Sequence, residues 1–236
     1  MIRAFARAFG QLNEPELRRY VGISIAATLA AFLLLWGIAL AALTYTALPS
    51  FDLFGTTWDL DFVADIAGAI AVFLLLGLMF PALLIVIVSF FLDGVADVVE
   101  GRHYPGLGPA RDQGVAEIVA ITAKFAALTI VLNLLALPVF LLLIFLPPFN
   151  FFVFYALNGY LLGREYYELV AHRRMDPQGA FRLRRAFGGQ LFVTGVVIAI
   201  MTSVPGLNLI VPIVATAAMV HLVHGWRTSL LGGRSR

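Results

Sequence analysis

Long apolar stretches separated by short polar ones set the organisation of this chain. Val21 to Leu48 and Ile66 to Leu92 carry no charged residue, and each would extend about 40 Å as a helix, enough to cross a ~30 Å hydrocarbon core with some tilt. Pro81, near the middle of the second stretch, predicts a kink. Two further uncharged stretches, Phe125 to Gly163 and Ala186 to Trp226, are broken by Pro138, Pro147 and Pro148, and by Pro205-Gly206 and Pro212. Each predicts two apolar limbs around a proline-rich apex, 118–137 with 149–163 and 188–204 with 213–226. The last limb would reach only about 21 Å as a helix, so half-penetrating hairpins fit better than four full spans. Broken elements of that kind persist at depth only where protein or a water-filled cavity surrounds them.

The polar segments complete the expected architecture. In Met1 to Leu12, the apolar residues Ile2, Phe5, Phe9 and Leu12 fall at helical spacing while Arg3 and Arg7 share another face. That predicts a short interfacial helix rather than a signal peptide. Pro49 to Asp65 holds four aspartates and no Lys or Arg. Asp93 to Glu117 is rich in Gly and Pro and predicts a loop, with a short helix around Asp93 to Glu100. Arg164 to Arg185 is arginine-rich, and Tyr160, Tyr166 and Tyr167 suit an interfacial belt. Nearly every arginine falls on the side of the termini, which places both in the cytoplasm under the positive-inside rule. The expected fold is an all-α integral membrane protein, with two long transmembrane helices, two proline-broken re-entrant hairpins and an amphipathic N-terminal helix. One membrane domain over 1–236 is expected: 1–20 as interfacial helix and anion-binding segment, 21–92 as two spans, 118–163 and 188–226 as hairpins.

Composition agrees and removes several function classes. Of 236 residues, 61% are hydrophobic and 13% charged, with a mean hydropathy of +0.94. Soluble domains carry about twice that charged fraction. Barrel-type alternation is absent. With no cysteine, disulfides, thiolate metal sites and cysteine nucleophiles are excluded. The chain holds no nucleophile elbow, zincin motif, phosphate loop or dinucleotide fingerprint, so neither an enzyme nor a bound cofactor is expected. Its basic residues hug the predicted span ends, where topology already explains them, so no nucleic-acid partner is expected.

Candidate chemistry concentrates just before the first span, in Asn13-Glu14-Pro15-Glu16-Leu17-Arg18-Arg19-Tyr20. Asn13 or Glu14 can cap, Pro15 suits a first helical turn, and free N–H groups then meet two guanidiniums. Such donors match a tetrahedral oxyanion; the alternative is that Arg18 and Arg19 anchor the helix among lipid headgroups. Asp93, Asp97 and Glu100 share one helical face, which could bind a cation, gate an anion path, or pair with arginines of 164–185. His221 and His224, at i and i+3, are compatible with one metal but lack a third ligand, and interfacial histidines are the plainer expectation. Glu165 and Glu168 are candidate proton relays in a neighbourhood that favours ion pairs.

The Pro-x-hydrophobic-Arg-Arg-aromatic approach to the first span resembles the CysZ-type sulfate permease family. So do the polar helix after the second span, the Tyr160–Glu168 stretch, and the proline-bounded Ser203-Val204-Pro205-Gly206-Leu207-Asn208-Leu209-Ile210-Val211-Pro212 apex. The resemblance implies sulfate uptake across a bacterial inner membrane for cysteine synthesis, and a homo-oligomer built from dimers in the lipid bilayer. It implies sulfate contacts at Arg18 and Arg19, with Glu16 and Leu17 beside them. Gly206, Leu207, Asn208 and Asp93 are the pathway candidates. Phe91-Leu92-Asp93-Gly94 stands where the family has Pro-Phe-Asn-Gly, which exchanges an amide for a carboxylate. A related oxyanion, or a non-transporting membrane scaffold of the same fold, is the alternative function.

Overall fold

The computed structural model describes residues 1–43, 51–53, 56–58 and 61–232. The described helices are α1 (Ile2–Gln11), α2 (Pro15–Leu43), α3 (Asp61–Ser89), α4 (Leu92–His103), α5 (Val115–Leu142), α6 (Pro147–Ala171), α7 (Pro177–Ala186), α8 (Gly188–Thr202) and α9 (Val211–Gly232). Two compact units are distinguished, Arg19–Phe91 and the combination of Met1–Arg18 with Leu92–Arg236.

In the first of these units, α2 and α3 meet through aromatic side chains. Phe32 contacts Phe73 and Phe80 edge-on at 5.7 and 6.1 Å, and Trp36 contacts Phe73 at 5.5 Å. Helix α2 begins at Pro15, the residue expected in its first turn, and residues 44–50 at its predicted end lie outside the described residues. A two-stranded antiparallel ribbon, β1 (Phe51–Leu53) with β2 (Thr56–Trp58), corrects the all-α expectation; Phe51 pairs with Trp58 and Leu53 with Thr56. These short runs of aromatic, β-branched and apolar residues suit extended backbone.

Among the described residues, Pro15–Ala41 of α2 and the run Val115–Phe145 are long and apolar enough to cross a membrane, and α3 is apolar from Ile66 to Leu78. Helix α5 continues through Pro138, so the first predicted hairpin has a limb of about 42 Å where 118–137 would reach about 30 Å. Its outer face (Leu134, Leu135, Leu141, Leu142) is exposed, as lipid contact requires. In the second hairpin the short limb is the first one: α8 is 15 residues, about 22 Å, and bends 86° away from α7, whereas the last limb, expected at about 21 Å, is α9 with 22 residues, about 33 Å.

Helix α9 runs to Gly232, past the predicted limb end at Trp226, and forms the core of the unit that combines Met1–Arg18 with Leu92–Arg236. Every residue from Val211 to Val220 is buried, together with Leu222 and Val223, and it packs against α1, α4 and α6. Helices α6 and α8 cross closely through glycine. A Cβ on Gly195 would collide with the Gly159 carbonyl oxygen and stand 2.7 Å from the Gly163 nitrogen. The spacing Gly159-x-x-x-Gly163 is the sequence mark of such an approach.

Candidate functional site

The predicted anion-binding segment forms the start of α2. The Arg18 N–H donates to the Glu14 carbonyl at 2.9 Å, which leaves the N–H groups of Glu16 and Leu17 without an acceptor among the described residues. Neither Asn13 nor Glu14 caps them by side chain. The Glu14 carboxylate turns instead to Arg102, 3.2 Å away. The Leu17 side chain is fully buried, so only its backbone can meet a ligand, while Glu16, Arg18 and Arg19 are exposed. The boundary between the two units falls between Arg18 and Arg19, and neither guanidinium has a hydrogen bond or ion pair among the described residues.

Asp93, Asp97 and Glu100 are brought together on α4 and pair with arginines that follow α6. Arg173 donates to Asp93 at 3.1 Å and to Asp97, and lies 3.5 Å from Glu100. Arg174 holds Glu100 with both prongs, Nε to Oε1 at 3.0 Å and Nη2 to Oε2 at 2.7 Å, and reaches the carbonyls of Gly108 and Pro109. His224 Nε2 adds a third contact to Glu100 at 3.1 Å. Burial alone would raise the Glu100 carboxyl, but the hydrogen bonds from His224 and Arg174 and the charges of both arginines outweigh it and hold it at about 2. Of the three roles weighed for this carboxylate face, ion pairing with the 164–185 arginines is the one observed, and Asp93 is spent in it.

His221 and His224 are buried rather than interfacial, because α9 lies inside the unit. The Gln11 amide nitrogen sits 2.5 Å from His103 Nε2 and 3.0 Å from His221 Nε2, while His221 Nδ1 meets the Tyr104 hydroxyl at 2.9 Å. Tyr104 also stacks on His224 at 4.3 Å. Gln11, His103 and Tyr104 were not singled out from the sequence. The available signal was Ala4, Ala8 and Gln11 at i, i+4 and i+7, a small-residue face of α1 that the structure buries. Among the described residues, no three His, Cys, Asp or Glu are grouped to hold a metal ion.

The apex candidates lie in the turn between α8 and α9. Gly206 takes φ 82°, a left-handed conformation that favours glycine. The Asn208 N–H donates to Val204 O at 3.0 Å and the Leu209 N–H to Gly206 O at 3.4 Å, so neither is free to meet a ligand. The N–H groups of Gly206 and Leu207 and the Asn208 amide have no partner among the described residues. No hydrogen bond or ion pair among these residues joins Gly206, Leu207 or Asn208 to Asp93, or either group to Glu16, Leu17, Arg18 and Arg19. The eight candidates thus lie on three elements: the start of α2, the start of α4 and the α8–α9 turn.

No curated protein matches the chain significantly. The family described as sulfate transporter CysZ/etoposide-induced protein 2.4 matches residues 4–212, a span that includes the α2 start, the α4 ion pairs and the α8–α9 turn. The chain is therefore an integral membrane protein that belongs to the sulfate transporter CysZ/etoposide-induced protein 2.4 family.

Proposed function

We propose that the protein is a sulfate permease of the bacterial inner membrane, supplying sulfate for cysteine synthesis. The observation that carries this reading is the start of α2, where Arg18 and Arg19 are exposed and, among the described residues, unpaired beside the uncapped N–H groups of Glu16 and Leu17. Elsewhere in the Arg164 to Arg185 segment, the arginines nearest the ion-pair clusters are spent: Arg164 and Arg184 on Glu168, Arg173 and Arg174 on the α4 carboxylates. Guanidinium forks and helix N–H groups are directional donors to an oxyanion, and the macrodipole adds to them.

Sulfate would be gathered there and would pass the apex, where the Gly206 and Leu207 N–H groups and the Asn208 amide can replace part of its hydration. Asp93 shares the Arg173 charge with Asp97, which lessens its repulsion of the anion. The exposed apolar flanks of α2 and α5 support an oligomer built from dimers, and the arginine distribution supports cytoplasmic termini. A second reading, a membrane scaffold, is favoured by the family's description, which joins a transporter with a protein not named as one. Uptake of radiolabelled sulfate by proteoliposomes of the purified protein decides between them. Saturable flux is expected, and folded protein giving no flux above empty vesicles would overturn the proposal. Competition with thiosulfate, sulfite and molybdate would show whether a related oxyanion is the better substrate.

A further inference from the structure

A cleft of about 210 Å³ opens where α6, α7 and α8 meet. Its lining includes Arg164, Arg184, Arg185 and Tyr160, and no Asp or Glu. Two of the guanidiniums converge on one point: Arg164 Nε and Arg184 Nη1 donate to the same Glu168 oxygen, Oε1, at 2.6 and 2.8 Å. That pairing fixes both side chains but cancels only one of their two charges, and a guanidinium has five N–H donors to give. Arg184 is further held over the Phe181 ring at 5.6 Å. Arg185 is exposed and has no hydrogen bond or ion pair among the described residues. An adjoining cleft of about 180 Å³ shares Arg164 and Arg184 and adds Lys124, which also has no ion pair among those residues. Across the two clefts, Arg164, Arg184, Arg185 and Lys124 are answered by the single carboxylate of Glu168.

The other side of the first cleft is apolar. Leu191 and Phe192, near the start of α8, complete it, and Phe192 and Val193 continue outward as exposed apolar surface. Helix α7 carries Arg182, Arg184 and Arg185, α8 carries no charge, and the chain bends 86° between them. Cationic surface therefore passes into apolar surface within one helical turn, in the order in which a phospholipid passes from phosphate to acyl chain. A free oxyanion would use only the first half of this arrangement.

We propose that this cleft binds an anionic glycerophospholipid, with the phosphate among Arg164, Arg184 and Arg185 and an acyl chain lying over Tyr160, Leu191 and Phe192. Guanidinium forks match phosphate oxygens through paired N–H donors, and basic pockets between membrane helices select anionic heads. A zwitterionic head would bring its own cation against guanidiniums that a single carboxylate leaves uncompensated. The site shares no residue with the α2 start, so it stands or falls independently of sulfate transport.

The test is calorimetry on the full-length protein in detergent, titrated with short-chain phosphatidylglycerol, short-chain phosphatidylcholine and inorganic phosphate. Phosphatidylglycerol should bind at least about tenfold more tightly than either of the others. Replacing Arg164 or Arg184 would disturb Glu168, so the variant is Arg185→Gln, which breaks no hydrogen bond or ion pair among the described residues. It should lose about tenfold in phosphatidylglycerol affinity, as loss of a charge-assisted hydrogen bond predicts, with an unchanged gel-filtration profile. Arg182→Gln, which removes the same charge from the same helix outside the cleft, should lose far less. The proposal is overturned if phosphatidylcholine or inorganic phosphate binds as tightly as phosphatidylglycerol. It is equally overturned if folded Arg185→Gln binds phosphatidylglycerol as well as the unaltered protein, or no worse than Arg182→Gln does.

Discussion

Arg174 holds Glu100 fork to fork, through bonds of 3.0 and 2.7 Å, and so ties the turn after α6 to α4 inside the packed unit. Removing one member of a buried pair leaves the other unpaired, at a cost of about 3–5 kcal/mol. Arg174→Ala should therefore lower the unfolding midpoint in detergent strongly. Arg174→Lys should recover only part, because lysine lacks the planar fork. Equal midpoints for Lys and the unaltered protein would show that charge alone suffices.

The same carboxylate sets a pH dependence. Its pKa is lowered from 4.5 to about 2 on folding, so its contribution is complete above pH 4.5 and is lost as pH falls towards 2. Integrated over that interval it amounts to roughly 3 kcal/mol. Thermal unfolding measured between pH 6 and pH 2 should show this loss, and Glu100→Gln should be less stable at pH 6 with a flatter profile. A mutant curve parallel to the original would refute the assignment.

Gly195→Ala should be the most disruptive small substitution in the α6–α8 pair. Its methyl collides with the Gly159 carbonyl and the helices must separate, with a strain cost of about 3 kcal/mol. Gly189→Ala on the same helix meets nothing within 4 Å and should be tolerated. Unfolding midpoints of the two variants test the contrast, and similar midpoints would mean that α6 and α8 do not cross this closely.

Sulfate affinity should fall far more with Arg18→Ala and Arg19→Ala together than with Arg182→Ala and Arg227→Ala. Both pairs lack partners among the described residues, but only the first sits beside uncapped helix N–H groups. Each charge-assisted bond contributes about 1.5–3 kcal/mol, so the first double variant should lose about two orders of magnitude. Calorimetry on both, with folding checked by gel filtration, measures it. Equal affinities would make Arg18 and Arg19 lipid anchors.

Membrane depth separates the two apices. The limb before Leu146 is long enough to cross and the α8 limb is not, so a cysteine at Leu146 should react with an impermeant thiol reagent from the periplasm while one at Leu207 is protected. Rapid labelling of both would establish a full crossing by α8 and α9.

Legibility in the sequence followed charge and proline, and failed where packing decided. The uncharged stretches placed the apolar helices, and the i, i+4, i+7 spacing of Asp93, Asp97 and Glu100 placed the acidic face with its arginine partners. Pro138 misled, because a proline within an otherwise apolar helix need not end it: α5 continues past it, and a neighbouring environment can satisfy the freed carbonyl. His221 and His224 misled for another reason. Their burial depends on α1 and α4 covering α9, a long-range arrangement that local periodicity does not carry. Gln11, alone on a polar-looking flank of α1, became informative only once its two histidine partners were in place.

Helix α9 follows, in chain order, every helix it touches. A ribosome therefore delivers α1, α4 and α6 to the bilayer well before the helix that fills the space among them. Until then Glu100 has no His224, Gln11 has no His221, and the small-residue face of α1 has nothing to cover. Membrane insertion and tertiary closure of this unit are thus successive events, and the interval between them leaves a charged seam open to any chaperone or lipid that can occupy it.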